Sequence, residues 1–195
     1  MTVLRVLSTL ALAVALLATT PNAAATSPDG SCEALIEAVQ GVNWAVIEHQ
    51  LDRTDPNCTV PMEGSPLIAA ARSGALPVVK HLVKAGADVD LGVPGDGSPL
   101  IAAAGAGWTH IVAYLIEAGA DVNVLVEGDE TPLINAAAEG SLAVVQMLAG
   151  AGADVNLSAW GGDSAAPELR TPLTMAQRYG HADVVAYLVA QGAKE

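Results

Sequence analysis

The chain has 195 residues, and its 21 Asp and Glu side chains outnumber its 8 Lys and Arg side chains, for a formal net charge of −13. A surface this acidic repels phosphate backbones, which argues against nucleic acid as a partner and in favour of basic proteins. With three Trp, three Tyr and no Phe, the interior must be built from Ala, Val, Leu and Ile, which suits short and closely packed helices.

The first 25 residues are typical of an export signal. Arg5 supplies positive charge, residues 6–18 are apolar except for Ser8 and Thr9, and residues 23–25 are three alanines. Because the apolar run is shorter than the roughly 20 residues needed to span a bilayer, we predict a signal peptide that is cleaved after residue 25. The mature protein is then expected in the periplasm or outside the cell, without membrane attachment.

Residues 26–62 are predicted to form a capping repeat, a degenerate copy of the repeat that occurs several times later in the chain. Apolar residues within 35–39 and 46–51 fall near the apolar positions of that unit, and terminal repeats are often atypical because one face meets water. Cys32 and Cys58 are the only cysteines, and an even pair in an exported protein favours a disulfide. The alternative is a reactive or metal-binding pair.

From residue 63 onward the sequence repeats itself every 33 residues. Ser-Pro-Leu-Ile or Thr-Pro-Leu-Ile opens three copies, at Pro66, Pro99 and Pro132, and Gly-Ala-Asp-Val closes each of them. A fixed period of this size indicates stacked supersecondary units and not one globular core. A fourth copy opens at Pro172, after seven inserted residues. We therefore predict four repeats, at 63–95, 96–128, 129–168 with a loop insertion, and 169–195.

Each copy carries the signals of two short helices, as the first copy illustrates. Ser65 can cap a helix, Pro66 suits its first position, and Gly74 can take positive φ where the helix ends. This predicts a first helix over roughly 66–73. The Val and Leu residues that follow recur at a spacing that forms one apolar face, which predicts a second helix over about 76–85. One such pair cannot bury both faces, so each copy needs neighbours.

These copies resemble the ankyrin repeat. The Thr-Pro-Leu opening, the paired Ala, the Gly, the Val-Val of the second helix and the Gly-Ala-Asp-Val ending occur here in the order that is typical of that family. The resemblance implies an all-α fold, a solenoid of helix-turn-helix units joined by hairpin-like loops. The family usually has His after Thr-Pro-Leu. Apolar packing between repeats is expected instead where this chain has Ile68, Ile101, Ile134 and Thr174.

The inserted segment, about 157–169, is rich in Gly, Ser, Ala and Pro and is predicted to be a loop. Trp160 within it is either an interaction anchor or folds back on the hairpin. The last copy has no polar cap after it. Four apolar residues of its second helix therefore either face inward or leave an end that self-associates weakly, and these are Val184, Val185, Leu188 and Val189.

The resemblance also implies a function, because repeat stacks present an extended concave surface built from turn tips and first helices. We expect a non-catalytic module that binds a protein, one with a basic patch, through this concave face. The positions that match the family's usual contact residues are Glu63, Arg72, Ser73, Gly95, Asp96, Glu127, Asp129, Glu130, Glu139, Arg170, Arg178 and Tyr179, and Trp160 joins them by its place on the insertion.

The sequence carries no motif for catalysis or metal binding. His49, His81, His110 and His181 are scattered without a metal spacing, and His181 matches the Gly-His step of the family and is expected to be structural. There is no nucleophile elbow and no phosphate-binding loop. We therefore predict no catalytic residue, metal or cofactor. The alternative is an enzyme or a calcium-dependent accessory factor in which the acidic tips supply oxygen ligands.

Overall fold

The computed structural model describes residues 31–161 and 168–194. The predicted signal peptide and residues 162–167 of the insertion lie outside the described residues. Within them the chain forms five consecutive helical pairs and one small sheet. The helices are α1 Cys32–Gln40, α2 Trp44–Leu51, α3 Pro66–Ser73, α4 Leu76–Lys84, α5 Pro99–Gly105, α6 Thr109–Glu117, α7 Pro132–Ala138, α8 Leu142–Gly150, α9 Pro172–Tyr179 and α10 Ala182–Ala190, and the strands are β1 Ala159–Gly161 and β2 Glu168–Arg170.

Each repeat begins at a side-chain cap that is followed by proline. The hydroxyl oxygens of Ser65, Ser98 and Thr131 accept the N–H three residues on, each at 3.2 Å, and Pro takes the first helical position. In the fourth repeat Thr171 and Thr174 exchange these bonds reciprocally, at 2.9 and 3.1 Å. Thr174 therefore makes a polar cap where the sequence predicts apolar packing, because its hydroxyl reaches the N–H of the cap residue.

The helices stack in two layers around one continuous apolar core. First helices of successive units, from α1 to α9, pack side by side, and second helices from α4 to α10 form a looser layer against them. The fully buried Ala70 and Ala71 are small enough to let first helices approach closely. Leu82, Leu115 and Leu148 are also fully buried and belong to the core that passes through every unit. The predicted helix-turn-helix solenoid is confirmed.

The isoleucines that replace the family's usual His are apolar packing residues. Ile68, Ile101 and Ile134 are all buried. Ile134 packs against Ala159 of β1 and against Met175 of α9, and the contact with Met175 joins the third repeat to the fourth, as the sequence predicts.

The N-terminal segment forms a helical pair of its own. Helix α1 packs on α3 and on its partner α2, and its exposed residues include Glu33 and Glu37. A disulfide joins Cys32 at the start of α1 to Cys58 beyond α2, with the two Cα atoms 5.8 Å apart. The predicted bond is thus present, and it closes the first unit on itself.

Asparagine side chains at the ends of the units tie each unit to the next. Asn57 Oδ1 accepts the N–H of Asp88 at 2.7 Å, and its Nδ2 donates to the carbonyl of Gly86 at 3.0 Å. The same two bonds recur at Asn123, with Asp154 and Gly152, and at Asn156, with Lys194 and Gly192. We call this row of bonds the Asn ladder, and it fixes the register between neighbouring units.

A second set of hydrogen bonds also joins neighbouring repeats. Each runs from the residue just before the second helix of a repeat to the first helix of the preceding repeat. His181 Nε2 lies 2.8 Å from the carbonyl oxygen of Ala138. Trp108 stands at the corresponding position of an earlier repeat, and its indole N–H donates to the carbonyl of Arg72 at 3.1 Å. The structural role expected of His181 is therefore supported by its contact.

The two described ends of the insertion form strands, where its composition predicts a loop. Strands β1 and β2 at its two ends pair antiparallel, with Trp160 opposite Leu169 and Ala159 opposite Arg170. Strands of three residues are too short for the alternating pattern from which strands are recognised in a sequence. The described ends of the insertion are therefore the paired strands of the connection between the third and fourth repeats, and we call them the inserted hairpin.

The C-terminal helix buries part of its apolar face. Val184 and Leu188 are fully buried and Val185 is half-buried, whereas Val189 is 54% exposed and the alanines of the helix are exposed as well. Among the described residues, no helix is both long enough and apolar enough to cross a membrane.

Candidate protein-interaction face

The connections between repeats project as a row of hairpins. Val60 pairs with Gly64, and Val93 with Gly97, through isolated antiparallel bridges. Residues 126–130 form the third connection, and β1 and β2 form the fourth. We define the hairpin face as the first three tips, strands β1 and β2, and the exposed last turns of the first helices, because the predicted contact residues lie there.

Asp129 is bonded to the neighbouring hairpin and is not a free tip charge. Its Oδ2 accepts the N–H groups of Gly95 and Gly97 at 2.9 and 3.1 Å. Burial raises the pKa of Asp129 above its ordinary value of 3.8, the two amide bonds oppose that shift, and the nearby carboxylates of Asp96 and Glu130 add to it. Asp129 therefore holds two hairpins together, at some electrostatic cost.

Asp96 also faces inward. Its side chain is 6% exposed, and its Oδ1 lies 3.7 Å from Arg72 Nη2, which donates to the Asp96 carbonyl at 3.3 Å. The other carboxylate oxygen, Oδ2, is buried without a hydrogen-bond partner in the described structure. The predicted contact residues Arg72 and Asp96 are thus paired with each other, and Arg72 keeps about half of its side chain in solvent.

A network of ion pairs fixes the inserted hairpin on the fourth repeat. Arg170 pairs with Glu130 and, at 2.8 Å, with Glu168. Arg178 contacts both oxygens of Glu168, with Nη2 at 2.6 Å from Oε2. Hydrogen bonds from Arg178 first and Arg170 second lower the pKa of Glu168 from 4.5 to about 2. Of the predicted residues, Glu130, Arg170 and Arg178 therefore come together here, away from Arg72.

Glu168 is the residue of this face that sequence reasoning missed. It lies two positions before Arg170, and residues at that spacing in a strand point to the same side. The signal becomes visible only once the segment is assigned as a strand, and its composition favours a loop.

The remaining acidic residues of the face have no counter-charge. Glu63, Glu127 and Glu139 are exposed, and none of them takes part in an ion pair within the described part of the chain. Ser73 is exposed as well, with its hydroxyl donating to the carbonyl of Ala70 at 3.1 Å. The unpaired charge of the hairpin face is therefore negative.

The face also exposes apolar side chains. Trp160 is 67% exposed and Leu169, directly opposite on the other strand, is 53% exposed. Tyr179, at the end of α9, is 57% exposed. Trp160 therefore does not fold back into the hairpin or the helices, which was the alternative to its role as an anchor.

His81 and His110 make separate contacts on different repeats. His81 Nε2 lies 3.3 Å from Glu48 on the second-helix side, and His110 packs against Trp108. In residues 31–161 and 168–194, no three His, Cys, Asp or Glu side chains are grouped so that they could hold a metal ion.

The stacked units and their row of hairpins define a helical-repeat solenoid, a class in which neighbouring repeats share one core and present an extended surface. A model of three consecutive ankyrin repeats matches residues 67–159, and a model of the single ankyrin repeat matches residues 168–194. The chain belongs to the ankyrin repeat family. No curated protein matches it. Ankyrin repeats are generally protein–protein interaction modules and are typically not catalytic.

Proposed function

We propose that the protein is an exported, non-catalytic module that binds a protein partner with a basic patch through the hairpin face. The distribution of charge supports this most directly. Each arginine of the face has a carboxylate partner, while Glu63, Glu127 and Glu139 remain exposed. A row of negative charge on a rigid support attracts and orients a positive surface.

Export is supported by two observations. The first 25 residues have the charge, apolar run and alanines of a cleaved signal, and the Cys32–Cys58 disulfide is typical of proteins that fold in an oxidising compartment. We propose a periplasmic or secreted location. Fractionation of the source cells, with detection of a chain that begins near residue 26, tests it, and an uncleaved chain in the cytosol would contradict it.

The calcium-dependent alternative has one observation in its favour, the buried and unpartnered Oδ2 of Asp96. The neighbouring acid Asp129 already accepts two amide bonds, which leaves little of a ligand set. We expect no change in melting temperature between calcium and a chelator. A rise of several degrees with calcium would favour the alternative.

A monomer is the proposed assembly state, because Val184 and Leu188 are buried within the last repeat. Sedimentation over a range of concentrations tests this directly. Mass that rises with concentration, and that falls again on Val189→Ser, would instead indicate weak self-association through α10.

Capture of partners by the mature chain tests the binding function, and one repeat supplies a matched control. Glu127 on a hairpin tip and Glu117 at the end of α6 are both exposed glutamates. We expect Glu127→Lys and high salt to reduce the captured protein, and Glu117→Lys to leave it unchanged. Equal capture by both variants, or a greater loss with Glu117→Lys, would overturn the proposed face.

A further inference from the structure

Met62, at the tip of the first hairpin, combines backbone strain with almost complete exposure. Its φ is 67°, in the left-handed region, and its side chain is 91% exposed. The corresponding residues of the next two hairpins are Gly95 and Gly128, with φ of 81° and 85°. A left-handed conformation is sterically unfavourable for a residue with a side chain, and glycine adopts it readily. The Met62 side chain therefore strains the hairpin and gains almost no packing within the fold.

Val42 provides the comparison, because it is the other non-glycine residue with positive φ in the described chain, at 51°. It lies in the turn between α1 and α2, away from the hairpin tips, and is 44% exposed. More than half of its side chain is covered, so Val42 gains packing within the fold. Met62 has no such compensation inside the molecule.

The inserted hairpin presents a second apolar site at the other end of the row. Its inner side is anchored, since Ala159 is buried against Ile134 and Met175. Its outer side carries Trp160 and Leu169 as a directly opposed pair. The ion pairs of Glu168 hold the second strand in place. A large aromatic side chain on a fixed support is the usual form of a binding hot spot.

We infer that Met62 and the Trp160–Leu169 pair are the two apolar anchor sites for one extended, basic segment of the partner, whose cations lie over Glu63 and Glu127. This inference rests on the proposed function and specifies the chemistry of the partner. The sites are separated by three repeat steps, which at helix spacings of 8–10 Å amounts to roughly 25–30 Å. An extended chain covers that distance in about eight or nine residues.

Three synthetic peptides of about twelve residues test the inference. The first carries Leu near each end, about eight residues apart, with Lys and Ser between them. The second replaces both Leu by Ser, and the third replaces each Lys by Glu. Binding is measured by fluorescence anisotropy of end-labelled peptide against the mature chain at low and at moderate salt. We expect only the first peptide to bind well, with the second about tenfold weaker.

Two substitutions with the same effect on the backbone separate recognition from folding. Met62→Gly and Val42→Gly each relieve a left-handed residue. The melting temperature should rise for Met62→Gly and should change less for Val42→Gly, because that variant also loses packing. Of these two variants, only Met62→Gly should also lower the affinity for the first peptide, by about three- to tenfold. Trp160→Ser should weaken it similarly, and none of the three variants should change the weak binding of the peptide that lacks Leu.

The outcomes distinguish this inference from the proposed function. Equal binding of the first two peptides, or unchanged affinity in Met62→Gly, would overturn the anchors while the salt-dependent preference for Lys over Glu still supported a basic partner. If no peptide binds, the extended segment is wrong even where capture by the mature chain succeeds. If the Glu peptide binds best, both proposals fail.

Discussion

In the part of the chain that the structure describes, the Asn ladder is incomplete only at Asp90. Its Oδ1 accepts the N–H of Asp121 at 2.8 Å, as Asn57 does for Asp88. The corresponding asparagines also donate through Nδ2 to a glycine carbonyl, at 3.0 to 3.4 Å. A carboxylate has no hydrogen to donate, so Asp90 cannot make the corresponding bond to the carbonyl of Gly119. Asp90→Asn should therefore stabilise the protein.

The expected gain is small and can be estimated. A solvent-exposed hydrogen bond of this kind contributes at the low end of 0.5–1.5 kcal/mol, so we expect about 0.5 to 1 kcal/mol. Removing one negative charge from an acidic chain should also raise the stability. Replacing the charged acceptor of the Asp121 amide by a neutral one should lower it. For a chain of this size, the melting temperature should rise by about 1–4 °C.

Thermal and urea unfolding of three variants measure this gain. Asn123→Asp makes the reverse change and should destabilise by a similar amount, because it removes the donation to Gly152. Glu117→Gln removes one charge outside the ladder and should shift stability by less than about 0.5 kcal/mol. The reasoning would be refuted if Asp90→Asn behaved like Glu117→Gln, or if Asn123→Asp cost nothing.

Three further results are expected. Leu115 is fully buried between the helical layers, so Leu115→Ala should cost about 2–5 kcal/mol in urea unfolding, and a loss below 1 kcal/mol would show that the repeats do not share this core. The Cys32–Cys58 bond closes a separation of 26 residues, so reducing agent should lower stability by about 3–4 kcal/mol, and an unchanged melting temperature would contradict this. Glu168 has a folded pKa of about 2 against 4.5 ordinarily. The stabilisation that its ion pairs provide should be complete above pH 4.5 and should be lost as the pH falls toward 2. The stability difference between the wild type and Glu168→Gln should therefore shrink in acid. A difference that grows in acid would be inconsistent with the ion pairs.

Much of the fold could be predicted because its signals are local. The Ser-Pro opening and Gly74 place α3 at the residues that the sequence predicts, 66–73, and α4 ends within one residue of its predicted end. Caps and left-handed turns depend on neighbours three or four residues away. The 33-residue period then brings copies of this local pattern into one stack.

The sequence predicts where the candidate site lies. It does not predict which of its charged residues are paired within the fold and which remain unpaired. Asp129 reaches amides 32 and 34 positions away, and Arg170 reaches Glu130 across 40 positions. Such contacts depend on how hairpins stack, and a sequence pattern does not specify which tip carboxylate turns toward its neighbour. The strands around Trp160 could not be predicted for a different reason. Each has only three residues, which is too few to show the alternation of apolar and polar residues that identifies a strand.

Amide hydrogen exchange of the mature chain, free and bound to a captured partner, tests the central claim most directly, namely that the partner sits on the hairpin face. The account predicts slower exchange on binding in the hairpins at 60–64, 93–97 and 126–130 and in β1, with the second helices unchanged. Protection confined to α4, α6 and α8, with exchange in the hairpins unaltered, would contradict it.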